Sequence, residues 1–345
     1  MGGYKILLTG GTGFLGKRIL EELLSDESPL PIEEVRVLYP EKLPDPSSPK
    51  IVPIKGDIRD EEILELACQN IDGVIHAAAV VDWGTKKPSE VFDVNFTGTE
   101  RLLKACETNG VKAFVYTSSL DAVYTGKPLR DVDEGIPYPS RFVNMYCESK
   151  SRAEQLVLEK SGSHLKACSL RPADIWGEAD PYHLEALIDM AKKGFYTRLG
   201  NGKSRCQHVY VGNCAYAHVL ALKALMEERS IVFGQAYFIT DSPAENFFKF
   251  FDQIVRRSGY AIWPKNFWIP KRAAYLIGSL SEVVAAILRP IKYYNPKFSR
   301  FAVQYTCTDF TFTSDKAGND FDFKPKYQLE EAMKRTAEFY KKGSG

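Results

Sequence analysis

The stretch that decides the fold is YKILLTGGTGFLG, residues 4–16. Its first half, Tyr4–Thr9, is a short apolar run of the kind that forms a buried strand. The run ends in glycines, and Phe14–Leu24 then carries Leu15, Ile19, Leu20, Leu23 and Leu24 at helical spacing. A strand, a tight glycine turn and a helix open a βαβ unit. Gly10, Gly13 and Gly16 fit GxxGxxG, while Gly11, Gly13 and Gly16 fit GxGxxG. Glycine serves the turn, the close approach of backbone to a pyrophosphate, and the packing of helix on strand. The helix start adds free N–H groups and the positive end of its dipole. The loop therefore predicts a dinucleotide cradle built from Gly10, Thr12, Gly13, Phe14, Leu15 and Gly16. A purely structural glycine turn is the competing reading.

Outward from this loop, strand-like runs recur at residues 35–38 (VRVL), 51–54, Gly73–His76 (GVIH), Ala113–Thr117 (AFVYT) and 167–170 (ACSL). Helical patterns fall between them at Glu61–Cys68, 91–106 and 144–160. Strands alternating with helices imply parallel pairing through right-handed crossovers, hence an α/β Rossmann-type, doubly wound parallel sheet. We assign residues 1–175 to this dinucleotide-binding domain, completed by parts of 205–240. Residues 176–345 form a smaller, mainly substrate-binding domain. There aromatics cluster (Phe247, Phe248, Phe250, Phe251, Trp263, Phe267, Trp268, Tyr275), either as ordinary core or as the lining of an apolar pocket.

A dinucleotide fold usually ends its second strand in an acid that binds the ribose. Here the position holds Tyr39, which leaves NAD and NADP both open, with Arg36 or Lys42 as partners for a 2′-phosphate. Asp57 and Ile58 follow the third strand, where Asp57 can reach an adenine amino group or serve as a turn acid. Ala77 follows the fourth strand and Pro172 the later ACSL run.

Tyr146 and Lys150 stand at i and i+4 on one helix face. A phenol ordinarily titrates near ~10, and a neighbouring ammonium favours the phenolate that a general base needs. YxxxK alone is weak in a chain with 18 tyrosines. Its context is stronger, because the strand ending in YTSS puts Ser119 at the carboxyl edge of the sheet, where such folds bind ligands. Ser119 can there donate to a carbonyl oxygen as a hydride moves. Asn95, in the helix after the fourth strand, is either a packing residue or the holder of a water that connects Lys150 to solvent.

Composition sets limits. The chain has 345 residues with Lys+Arg 45 against Asp+Glu 44, a net charge of +1 that supplies no basic excess for nucleic acid. Seven cysteines without a CxxC pair suggest neither a disulfide framework nor a metal centre, and we expect no metal and a reducing, intracellular compartment. The amino terminus has no signal-peptide pattern. Residues 273–288 (AAYLIGSLSEVVAAIL) are apolar, but they are fewer than the ~20 that span hydrocarbon and contain Glu282. A buried core helix and a helix lying in the membrane interface are the two alternatives.

The motifs together resemble the extended short-chain dehydrogenase/reductases: TGGTGFLG (9–16), GDIRD (56–60), HAAA (76–79), VNFTGT (94–99), YTSS (116–119), YCESK (146–150) and LRPADIWG (170–177). Within that group the chain is most similar to the 3β-hydroxysteroid dehydrogenase/Δ5-Δ4 isomerases. VVDWG (80–84), HVYVGNCAYAHVLALKAL (208–225), AYFITD (236–241), ILRPI (287–291) and FTFTSDKA (310–317) carry that likeness. The resemblance implies oxidation of the 3β-hydroxyl of a Δ5-steroid to a 3-ketone with NAD or NADP, followed by Δ5-Δ4 isomerisation. It implies Tyr146 as base, Lys150 as its tuner and ribose ligand, Ser119 as oxygen-orienting donor, and Pro172 beside the carboxamide. Asp241 is a candidate for the isomerisation step. A steroid or sterol is then the small-molecule partner. Peripheral contact with endoplasmic reticulum or mitochondrial membranes, and a homodimer, are further expectations, with a cytoplasmic location as the alternative. Competing readings are a sterol or 4-carboxysterol dehydrogenase, another reductase of an apolar ketone, and a nucleotide-sensing regulator without turnover.

Overall fold

The computed structural model describes residues 2–41, 48–82, 86–288, 299–313 and 315–341. Lys42, Trp83, Gly84, Arg289 and Ser314, and most of the ILRPI segment, lie outside the described residues.

Seven strands form the central sheet: β1 (Tyr4–Thr9), β2 (Ile32–Tyr39), β3 (Ile51–Lys55), β4 (Gly73–His76), β5 (Ala113–Thr117), β6 (Lys166–Pro172) and β7 (Gln235–Ile239). Their order across the sheet is β7-β6-β5-β4-β1-β2-β3, and every adjacent pair is parallel. The winding direction reverses between β1 and β4. Such a reversal leaves a crevice outside the carboxyl ends of the two strands. The helices that frame the site are α1 (Phe14–Leu24), α2 (Glu61–Cys68), α3 (Gly98–Thr108), α4 (Met145–Lys160), α5 (Val211–Met226), α6 (Phe247–Arg257) and α7 (Lys271–Leu288).

Side-chain alternation along the strands builds two apolar layers. Ile6, Leu8, Val37, Ile75 and Val115 pack on one face with Ile19 and Leu23 of α1 and Val219 and Leu222 of α5. Leu7, Val74, Phe114 and Tyr116 point the other way, against Leu64, Leu102, Leu103 and Val157. The Rossmann-type sheet read from the sequence is therefore present. β2 begins earlier than the VRVL run, because Glu33 and Glu34 mask it; they pair with Lys5 and Arg36 along the sheet. The helix expected over 91–106 is interrupted. Pro88–Phe92 is α-helical, Asp93–Thr97 forms one π-helical turn, and α3 follows.

A third core is aromatic. Phe247, Phe248, Phe250 and Phe251 of α6 are buried together with Trp176, Tyr305 and Phe310. These α6 phenylalanines are ordinary core and do not line the cleft. α7 differs from a core helix. It buries Ala274 and Ala285 and rests on Arg300–Thr306, with Glu282 turned to the Arg300 backbone and guanidinium. Leu276, Ile277, Leu280, Val283, Val284 and Ile287 are exposed. No helix among the described residues is long and apolar enough to cross a membrane.

Candidate active site

The glycine loop closes on itself at the carboxyl end of β1. Gly10 has φ +73° and lies against the backbone of Ala77 and Ala78, and the Gly13 N–H donates to its carbonyl at 2.9 Å. A side chain at Gly16 would collide with the Gly10 carbonyl oxygen. α1 starts at Gly13 with no side-chain cap, so its first N–H groups face the crevice unblocked. Thr9 Oγ1 lies 2.6 Å from His76 Nδ1 and accepts from the Ala78 N–H, and His76 Nε2 reaches Thr99 Oγ1 at 2.9 Å. The loops after β1 and β4 are thereby held together. Burial pulls His76 down to about 3, so it is neutral.

These loops form one wall of a cavity of about 580 Å³. Gly10, Thr12, Gly13, Phe14, Leu15, Gly16, Asp57, Ile58 and Ala77 line it at one end. Asp57 is held below the ordinary carboxylate range by its hydrogen bond with Arg59, at 2.6 Å. Ser119, Tyr146, Lys150 and Pro172 line the same cavity. Free α1 N–H groups, a side-chain-free turn and this adjoining cleft fit a dinucleotide whose phosphates lie at Gly10–Gly16.

α4 positions the reactive pair. Asn144 Oδ1 accepts from the Cys147 N–H at 2.8 Å, which sets the helix start one residue before Met145. Tyr146 and Lys150 then fall on the face that covers β5. Lys150 is buried, and its Nζ donates to the Thr117 carbonyl at 2.8 Å. Burial brings this ammonium down to about 7, with Glu154 and Asp121 opposing. Glu154 belongs to a buried network: it pairs with Arg171 at 2.7 Å and accepts from Ser169 and Tyr138. Burial holds the Tyr146 phenol well above its ordinary value, Asp121 adds to the rise, and the Ser119 hydroxyl works against it. Ser119 donates to Asp121 Oδ2 at 2.9 Å.

Other expected residues are placed differently. The side chain of Asn95, in the π turn, is committed to the Val80 N–H and carbonyl and to Ser149 Oγ, at 2.7, 3.0 and 3.1 Å. It clamps the loop after β4 to α4, and Val94 lines the cleft instead. At the end of β2, Leu38, Pro40 and Glu41 line the cleft, and Tyr39 does not. Arg36 does not face a 2′-phosphate position, because it is tied to Glu34 and to the Ala67 and Gln69 carbonyls at the end of α2. Asp241 lies outside the cleft as well. Its carboxylate accepts from the Tyr210 N–H and Asn213 Nδ2 and so fastens the start of α5.

The far wall was not anticipated. Asp121, Asp174, Tyr182, His183, Phe301 and Tyr305 close the cleft beyond Tyr146. Among the described residues, no lining residue from Pro172 onward is lysine or arginine. Asp121, two positions after Ser119, was readable as a nearby acid; the others converge from distant segments and leave no local signal.

Among solved structures, the chain resembles an epimerase from Methanothermobacter thermautotrophicus (18% identity, TM-score 0.75, covering 98% of this chain and 92% of that one). It also resembles the UDP-glucose 4-epimerase of Thermotoga maritima, solved with UDP-glucose (20%, 0.71, 97% and 98%). A third is the dTDP-glucose 4,6-dehydratase of Streptomyces venezuelae, solved with NAD (20%, 0.75, 97% and 96%). At these identities the likeness is one of fold. Residues 7–267 match the model of the 3-beta hydroxysteroid dehydrogenase/isomerase family, and the chain belongs to that family of extended short-chain dehydrogenase/reductases.

Proposed function

We propose that the protein oxidises the 3β-hydroxyl of a Δ5-steroid to the 3-ketone and then moves the double bond into conjugation. The observation that carries this reading is a single cavity shared by the glycine cradle, the Ser119–Tyr146–Lys150 group and an aromatic far wall without lysine or arginine among the described residues. A substrate bearing a diphosphate would call for cations on that wall, whereas an apolar ring system suits Tyr182, Phe301 and Tyr305.

Tyr146 takes the hydroxyl proton as general base. In its charged form Lys150 favours the phenolate, against the effect of burial. Ser119 donates a hydrogen bond to the substrate oxygen and holds it as the carbonyl forms. A nicotinamide dinucleotide held by the Gly10–Gly16 cradle would supply the hydride acceptor. For the double-bond shift, Asp174 is a buried carboxyl group within the cleft that can carry a proton from one carbon to another.

The exposed apolar face of α7, flanked by Lys271 and Arg272, supports a further part of the proposal: peripheral contact with an intracellular membrane, from which the substrate reaches the cleft. The test is incubation with pregnenolone and NAD or NADP, following reduced nicotinamide and conjugated enone separately. Both signals are expected to rise. Reduced nicotinamide without enone would remove the isomerase step, and neither signal would remove the steroid.

A further inference from the structure

Asp121 stands directly behind the serine that faces the cleft. Ser119 Oγ donates to Asp121 Oδ2 at 2.9 Å, and the Asp121 backbone N–H donates back to Oγ at 3.1 Å. A serine hydroxyl has one hydrogen and two lone pairs. With Asp121 ionised, that hydrogen is held on the carboxylate and none remains for an oxygen in the cleft. With Asp121 neutral, its own proton can be donated from Oδ2 to the second lone pair of Oγ. The backbone N–H already fills the first, so the Ser119 hydrogen is released towards the cleft.

We propose that Asp121 is a positioning residue: protonated, it turns the Ser119 hydroxyl towards the substrate oxygen, and ionised, it withdraws that hydroxyl. The inference rests on the dehydrogenase reading, in which Ser119 orients the oxygen.

The surroundings of Asp121 favour the proton. It is buried, and its Oδ1 faces the Cys147 thiol at 3.9 Å. From α4 it also meets Tyr146 and Lys150. From its own loop it meets Tyr124. From the far wall it meets Asp174, to which Tyr305 donates at 2.7 Å. Burial, reinforced by Asp174, pushes Asp121 up to about 7, against the hydrogen bonds of Ser119 and Cys147 and the charge of Lys150. The change of state therefore falls near neutrality.

Asp121→Asn cannot ionise, yet its amide can still donate to Oγ, whereas Asp121→Leu can do neither. We expect wild-type kcat/KM for hydroxysteroid oxidation to fall above the Asp121 transition about tenfold more per pH unit than that of Asp121→Asn. Asp121→Asn should match the wild type on the acid side and keep only the shallower decline that loss of the Lys150 charge brings, and Asp121→Leu should be at least tenfold slower throughout. A readout independent of turnover is isotope-edited infrared difference spectroscopy of the aspartate carboxyls, wild type minus Asp121→Asn, titrated with NAD bound. It should show a protonated carboxyl that is lost near neutrality. A carboxyl titrating in the ordinary aspartate range near ~4, or an alkaline decline unchanged in Asp121→Asn, overturns the proposal. A wild type that oxidises no hydroxysteroid at any pH overturns the substrate reading instead, and the infrared titration then decides Asp121.

Discussion

Lys150 shows how little freedom the reactive side chains have. Its ammonium is buried, bonded to the Thr117 carbonyl and set 5.0 Å above the Tyr116 ring. A guanidinium is planar and larger, so Lys150→Arg should not substitute for it. We expect Lys150→Met and Lys150→Arg each to lower kcat by about 10²–10⁴, measured under saturating cofactor. At the other end of the cleft, Glu41 brings a carboxylate to the wall beyond β2, and Arg36 is engaged elsewhere. A carboxylate repels a 2′-phosphate, so Glu41→Gln should raise the ratio of kcat/KM for NADP over NAD by a few-fold, read from paired initial rates. At this scale the sequence was a good guide wherever spacing alone brings residues together. The i, i+4 pair Tyr146 and Lys150 is such a case. It was a poor guide to Asp241, whose partners lie at the start of α5, and to Arg36, which is held by Glu34 of its own strand and by carbonyls at the end of α2.

The elements closest to the glycine loop were readable because their signals are local. β1, α1, β4 and β5 have the bounds that apolar runs and glycines suggest. The π turn at Asp93–Thr97 was not readable, since one extra backbone residue leaves the apolar periodicity of the surrounding helix nearly intact. The tight contact of α1 on β1 gives a prediction. In Gly16→Ala the methyl group meets the Gly10 carbonyl, so the cradle must open. Cofactor affinity should fall at least tenfold, measured by titration calorimetry. The link between β1, β4 and α3 through His76 gives another. A histidine held neutral in the fold, with its pKa lowered to about 3, contributes stability that is full above the ordinary value near ~6.5 and is lost as pH falls. In His76→Gln, unfolding free energy should therefore decline less steeply than in the wild type between pH ~6.5 and ~4, a difference that urea denaturation at several pH values would detect. Equal slopes would mean that His76 is not neutral in the folded state.

For the whole molecule, the reversal of winding between β1 and β4 creates the crevice, and the chain after Pro172 roofs it. The sheet was legible because each βα unit announces itself. The roof was not: Tyr182, His183, Phe301 and Tyr305 come from segments more than a hundred residues apart and meet only in three dimensions. The same scale governs α7, whose outward face carries Leu276 and Leu280 at 63% and 59% exposure. In vesicle flotation with anionic lipid, the wild type should co-float and be released by salt or mild detergent. Leu276→Glu with Leu280→Glu should stay in the soluble fraction, and unchanged flotation of that variant would exclude α7 as the contact. All of this depends on a phenol oxygen acting within the cleft that the glycine loop borders. The most direct test is Tyr146→Phe, assayed for steroid-dependent reduction of NAD or NADP beside a separate measurement of cofactor binding. Turnover should fall by about two to four orders of magnitude while cofactor affinity stays within a few-fold of wild type; turnover close to wild type would contradict the account.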